Sequence, residues 1–172
     1  MTSTVPPRDW TDIHWPDFAG DAPARWIAVL PLAATEQHGP HLPLGTDVMI
    51  AQAYLARVRE LLGDSLPATF LPIQPVGIST EHTDYPGTLT LPTDTALKAW
   101  MALGESVART GIKMLVLVTS HGGNSAAMSL VAQDLRAQHG LLVEGRARLG
   151  TDRQMAQQPP SFEQLRPRRT PH

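Results

Sequence analysis

The chain alternates short apolar runs with longer stretches of helical periodicity. Residues 26–32 (WIAVLPL) form a nearly unbroken apolar run, the pattern of a strand buried on both faces of a parallel sheet. A Gly-, Pro- and His-rich loop follows from 34 to 45. Val48, Ile50, Ala51, Tyr54, Leu55, Val58 and Leu62 then recur at helical spacing, predicting a helix over about 47–62 with Gly63 as its stop. Residues 69–76 (TFLPIQPV) predict a strand broken by Pro72 and Pro75, hence an edge or irregular one. The polar stretch 77–93 predicts a long loop or a short hairpin, with Gly87 after Pro86 as its turn. Thr93-Asp94 opens a helix through Ala108 that ends at Gly111, and residues 113–118 (KMLVLV) give the clearest buried strand. After Thr119-Ser120-His121-Gly122-Gly123-Asn124, a helical pattern runs from Ser125 to about Gln138, closed by Gly140, and residues 141–143 begin a further strand. The alternation of strands and helices predicts an α/β fold, a mainly parallel sheet with right-handed crossovers and helices on both faces.

Composition adjusts this picture in three places. The 172 residues suit one domain, and 42% hydrophobic with 17% charged content is globular in character. The absence of cysteine removes disulfides, thiolate metal sites and Cys nucleophiles, so any metal must use His, Asp and Glu. A net charge of -2 gives no general attraction to nucleic acid or acidic membrane. No apolar run approaches the ~20 residues that span a bilayer, and the N-terminus lacks the layout of a secretory signal. The expectation is a cytoplasmic protein with no nucleic-acid or membrane partner. Residues 144–172 differ in character, with six Arg against three acidic residues, four Pro and no apolar periodicity. The expected organisation is a domain over 1–143 and an irregular basic tail over 144–172.

Ligands of an open parallel sheet bind beyond the carboxyl ends of its strands. The loop after the first strand offers Glu36, His38, His41 and Asp47, and the loop after the 113–118 strand offers His121. In an extended Glu36-Gln37-His38, alternation puts Glu36 and His38 on one side. Carboxylate oxygen and imidazole nitrogen suit Zn²⁺, Mn²⁺ or Fe²⁺, which activate water and polarise a carbonyl. Plainer readings stand beside this one. Thr46 or Asp47 could cap the helix, His41 between two prolines could be solvated, and His121-Gly122-Gly123-Asn124 could cradle an anion at a helix start.

Three strings taken together are more specific. TEQHGPHLPLGTD at 35–47, GISTEHTDYPGT at 77–88 and SHGGN at 120–124 resemble the successive signatures of the creatininase family, in the family's order. The resemblance spans roughly residues 26–143. It implies a three-layer α/β/α sandwich and metal-dependent hydrolysis of an amide or formamide C–N bond by water on one or two divalent ions (Zn, Mn or Fe). It also implies metal ligands at Glu36, His38, Asp47 and His121, with Asp47 bridging. Glu81 and His82 then contact substrate or orient a ligand. The family includes creatinine amidohydrolase, formamide hydrolases and a mycofactocin precursor peptidase, and it tends to form homo-oligomers.

Two departures qualify the resemblance. Creatininase carries a Glu two residues after the turn His, where this chain has Gly123, which makes it more similar to the formamide hydrolase and peptidase members. The family's later His-Ala-Gly-Glu and Glu-Thr-Ser segment has no counterpart here. A shortened or out-of-frame ending is therefore expected, with reduced or lost activity as the consequence. The alternative function is a catalytically impaired member that keeps the fold and metal as a binding or assembly protein.

Overall fold

The computed structural model describes residues 5–147, the last two by backbone alone. Among the described residues four strands form one all-parallel sheet in the order β2-β1-β3-β4, where β1 is Ile27–Leu32, β2 Ala68–Phe70, β3 Met114–Thr119 and β4 Leu142–Ala147. Three long helices connect them: α1 (Thr46–Leu61), α2 (Thr93–Arg109) and α3 (Ser125–His139). The α/β class and parallel sheet expected from the pattern are both present.

Each helix buries one stripe. Asp47, Ala51 and Leu55 on α1 are four residues apart, and Ala96, Trp100, Gly104 and Val107 on α2 recur at spacings of four, four and three. The principal core lies between the sheet and the α2–α3 pair, where Leu30, Trp100, Leu115, Leu117 and Leu135 are sealed from solvent. α1 covers the other face with a smaller cluster, Val29, Leu55 and Phe70, leaving Val116 and Val118 half-buried.

The elements depart from expectation at their ends. β2 is only three residues long, because Pro72 cannot donate to the ladder; pairing resumes where Gln74 N donates to the Pro31 carbonyl. Pro31, inside an inner strand, turns its carbonyl and hence its missing N–H toward that same irregular end. β4 runs on to Ala147, paired with Thr119, four residues past the apolar stretch that announced it. Backbone pairing to β3 carries the strand through the polar Glu144 and Gly145. The proposed tail beyond Ala147 lies outside the described residues. α3 stops as predicted at Gly140, whose φ of 61° is the left-handed conformation.

Single-turn 3-10 helices at Trp10–Asp12, Trp15–Phe18 and Ala22–Arg25, not foreseen from the pattern, precede β1. They bring Trp10 against Phe18 and Phe18 against Trp26, and the Arg8 guanidinium donates to the carbonyls of Gly63, Leu66 and Ala68. Among the described residues no helix is long and apolar enough to cross a membrane.

Candidate metal centre

Strand order places the site. β1 leads outward to β2 by way of α1 on one face, while β3 leads to β4 through α3 on the other. The crevice where connections diverge therefore falls between β1 and β3. Leu32 and Thr119, the last residues of these strands, are register partners. Loops that start 87 residues apart in sequence consequently begin side by side, one carrying Glu36 and His38, the other His121.

Asp47 arrives from α1. Its helix is capped by Gly45 with no side-chain bond, and Thr46 Oγ1 donates to the Pro43 carbonyl, so neither Thr46 nor Asp47 is the cap considered from sequence. Asp47 sits in the first turn, 5% exposed, aimed at the crevice. Ser120 Oγ ties that turn to the end of β3 by donating to the Asp47 carbonyl at 2.9 Å.

Glu36, His38 and Asp47 offer ligand atoms within 4.8 Å of one another. His121 Nδ1 lies 3.1 Å from Asp47 Oδ2 and 3.3 Å from Glu36 Oε1. His38 Nε2 lies 3.5 Å from Asp47 Oδ1 and 4.0 Å from Glu36 Oε1. Donors at about 2.0–2.2 Å from one tetrahedral ion stand roughly 3.4 Å apart, and three of these four separations are near that size, with His38 and His121 meeting different oxygens of Asp47. A cavity of about 240 Å³ opens beside them, lined by all four side chains and by Thr119, Ser120 and Gly122. A larger hollow of about 360 Å³ between α1 and β2 holds the Arg59–Asp9 ion pair but no such cluster.

Both imidazoles are turned by backbone carbonyls. His121 Nε2 donates to the Ile78 carbonyl at 2.8 Å, and His38 Nδ1 donates to the Glu36 carbonyl at 3.1 Å. Each neutral ring therefore presents the lone pair of its other nitrogen to carboxylate oxygens, an arrangement that repels unless a positive charge lies between. Asp47 Oδ2, buried, receives no hydrogen bond while His121 is neutral. Burial opposes charging His121, but the Asp47 side chain, the Ile78 carbonyl and the charges of Glu36 and Asp47 raise its pKa above the ordinary imidazole value. A proton on His121 is then the smallest cation that relieves the repulsion. The residues present fit a divalent ion on both counts.

The surrounding polar groups escaped the sequence reading. Asn124, fully buried, donates to the Ala33 carbonyl at 3.0 Å and to Thr119 Oγ1 at 3.2 Å, and accepts from Ile78 N at 3.0 Å. One amide thus joins the three loops that carry the site. Thr119 Oγ1 also accepts from His121 N and donates to the His121 carbonyl. The Asn of SHGGN was the available signal, but its partners are 46 and 91 residues away.

Of the remaining candidates, His82 is half-buried and its Nδ1 donates to Glu36 Oε2 at 3.0 Å, while Glu81 is exposed on the adjacent turn. Both lie beside the centre rather than on the cavity wall. His41 is exposed and takes no part, as its solvated reading held. The anion reading of the Gly-rich turn loses ground to the two buried carboxylates facing it.

The chain is similar to curated proteins and to solved structures. The chain is 38% identical over 116 residues to the mycofactocin precursor peptide peptidase of Mycobacterium tuberculosis, an alignment covering 64% of this chain and 46% of that protein. A solved structure described as manganese creatininase superposes with a TM-score of 0.66 at 27% identity, over 81% of this chain and 58% of the other. A mutant creatininase of Zn-Zn type superposes with a TM-score of 0.67 at 26% identity, over 81% and 57%. The chain spans about half the length of the curated relatives it matches. With the creatinine amidohydrolase family profile matching residues 11–170, the chain belongs to the creatininase family.

Proposed function

We infer that the chain is a metal-dependent hydrolase of an amide C–N bond in which Glu36, His38, Asp47 and His121 hold the ion. The observation that carries this reading is the pair of imidazole lone pairs directed by backbone carbonyls onto two buried carboxylates. A divalent ion there supplies acidification of a ligated water and polarisation of the scissile carbonyl. Glu36 and Asp47 contribute the charge, His38 and His121 the neutral donors. Asn124 and Thr119 keep the loops at the required separation, and His82 fixes the second oxygen of Glu36. Manganese and zinc are the first ions to try, since solved relatives are described with them.

The substrate class we favour is a linear amide or short peptide. The similarity to a precursor-peptide peptidase and the presence of Gly123 where creatininase has Glu both support it. The test is metal analysis of chelator-free protein, followed by hydrolysis of formamides, creatinine and short peptides beside the His121→Ala variant. About one equivalent or more of a first-row metal and turnover that His121→Ala abolishes are expected. Uptake below about 0.3 equivalents after reconstitution, or turnover indifferent to the substitution, removes the reading.

A second reading, metal retained in a binding or assembly role, is favoured by one feature of the cavity. Among the described residues lining it, every titratable side chain belongs to the ligand set, so no group there is free to protonate a departing nitrogen. Full metal occupancy without turnover of any amide would select it.

A further inference from the structure

The two glycines after His121 answer to different needs. A Cβ at Gly123 would collide with His121 Nε2 and the Ile78 carbonyl, the two ends of the hydrogen bond that orients the ring, so the fold itself requires glycine there. Gly122 has no such reason. A Cβ at 122 would meet no atom within 4 Å outside its own turn, and the φ of Gly122 lies outside the left-handed region, so the backbone accepts a side chain. Glycine gives up more freedom on folding than any other residue, and stability alone therefore favours a larger residue at this position. What glycine leaves is space, and Gly122, exposed, stands on the wall of the metal cavity.

The polar groups of that wall divide in the same way. Thr119 Oγ1 is engaged with His121 and Asn124, and Ser120 Oγ donates to the Asp47 carbonyl. The Gly122 N–H and the Ser125 hydroxyl, by contrast, take no partner among the described residues. Asp47 Oδ2, buried and likewise unpartnered, belongs to the same cavity. Two unused donors thus lie on the turn beside a centre that is itself unsatisfied. A peptide bound at the centre continues into a further backbone carbonyl, an acceptor that either donor suits. A compact amide such as formamide has nothing to place there.

We propose that the turn at Gly122 and Ser125 is a substrate subsite that takes the main chain of a peptide beyond the scissile bond, and that the missing side chain at 122 selects extended amides over compact ones. This rests on the metal-centre reading given above and names the wall over which the substrate runs. A side chain at 122 starts clear of Glu36, His38 and Asp47 and stands where the peptide continues, a clash directed against one class of substrate and not the other.

The test uses hydroxamates, which hold a metal ion through two oxygens whether or not turnover occurs. The full 172-residue chain is loaded with Mn²⁺ or Zn²⁺ and its uptake is counted by equilibrium dialysis. It is then titrated by calorimetry with acetohydroxamate and with two lengthened probes, one bearing a dipeptide on the carbonyl side and one on the nitrogen side. At least one lengthened probe should bind the native chain about tenfold or more tighter than acetohydroxamate, and Gly122→Leu should remove that advantage while acetohydroxamate stays within about threefold of its native affinity. Ser125→Ala should weaken the same probe by about threefold to tenfold, the range of one lost hydrogen bond. Stripped of metal, Gly122→Ala should melt no lower than the native chain. Lengthened probes no tighter than acetohydroxamate, a Gly122→Leu variant that keeps both lengthened affinities, or one that loses all three probes equally overturns the proposal and leaves the metal centre standing. A marked fall in the melting of Gly122→Ala does the same, since the glycine would then serve the fold. No uptake of Mn²⁺ or Zn²⁺ by the native chain overturns the subsite and the centre together.

Discussion

The two sides of the β1–β3 pair bury opposite kinds of material. Against α2 and α3 the sheet buries Leu30, Leu115, Leu117, Trp100 and Leu135, groups that need only one another. Beyond its carboxyl edge it buries Glu36, Asp47, His121 and Asn124, and these are satisfied unequally. Asn124 and Thr119, at the rim, find every partner within the protein. The centre does not, since Asp47 Oδ2 and two imidazole lone pairs face one another without a donor between them. The core is complete as folded, whereas the centre is complete only with a cation. Burying charge is expensive unless it is compensated, and a cation is the compensation that the proposed function supplies.

The sharpest way to break the contrast is at its apolar pole. Trp100→Ala should cost about 3–5 kcal/mol in urea unfolding, with or without metal, because it opens a cavity among residues that cannot collapse into it. A loss that metal repairs would mean the core and the centre are one unit. Next comes the rim: Asn124→Ala leaves the Ile78 N–H and the Ala33 carbonyl without their partner, at about 1–3 kcal/mol per orphaned group. It should also weaken Mn²⁺ binding, measured by calorimetry. Unaltered affinity would show that the loops hold their spacing without it.

At the centre the sign should change. Above the raised His121 pKa, where that ring is neutral, Asp47→Asn removes a buried charge without a counter-charge, so the stripped protein there should lose little stability or gain some. Stabilisation by metal, about 2.7 kcal/mol for native protein at one hundred times the dissociation constant, should vanish. Thermal melts with chelator and with Mn²⁺ check both parts, and a variant still stabilised by Mn²⁺ contradicts the ligand assignment.

The smallest effect is the pH dependence. The folded pKa of His121 is raised above its unfolded value. Its charged form therefore stabilises the stripped protein fully below about 6.5, and that contribution is lost as pH rises through the raised value. Metal requires the same nitrogen unprotonated, so stabilisation by Mn²⁺ should grow over the interval where the stripped protein weakens. Parallel melts from mildly acid to mildly alkaline pH should give opposite slopes, and like slopes would place the titrating group elsewhere.

Much of this was legible beforehand because it is local. The apolar runs 26–32 and 113–118 and the periodicities of α1, α2 and α3 are signals within a few residues of each other, and they located the elements to within a few positions. Where the signal was not local, the reading failed. β4 extends through Glu144 and Gly145 because β3 lies beside it, and no hydrophobic pattern carries that information. The N-terminal turns lack periodicity and owe their place to Arg8 and to the tilted ring contacts of Phe18 with Trp10 and Trp26.

The centre shows the same division. By itself the sequence determined the donor types, since a chain without cysteine has only His, Asp and Glu for a borderline ion, and it fixed the loops that bear them. Only the tertiary structure decided that Leu32 and Thr119 end side by side, that Asn124 joins three loops, and that His82 turns to Glu36 rather than to the cavity. Those contacts depend on strand order and on the face each crossover takes. They are set by how the whole chain packs its apolar stripes, not by any residue's neighbours in sequence.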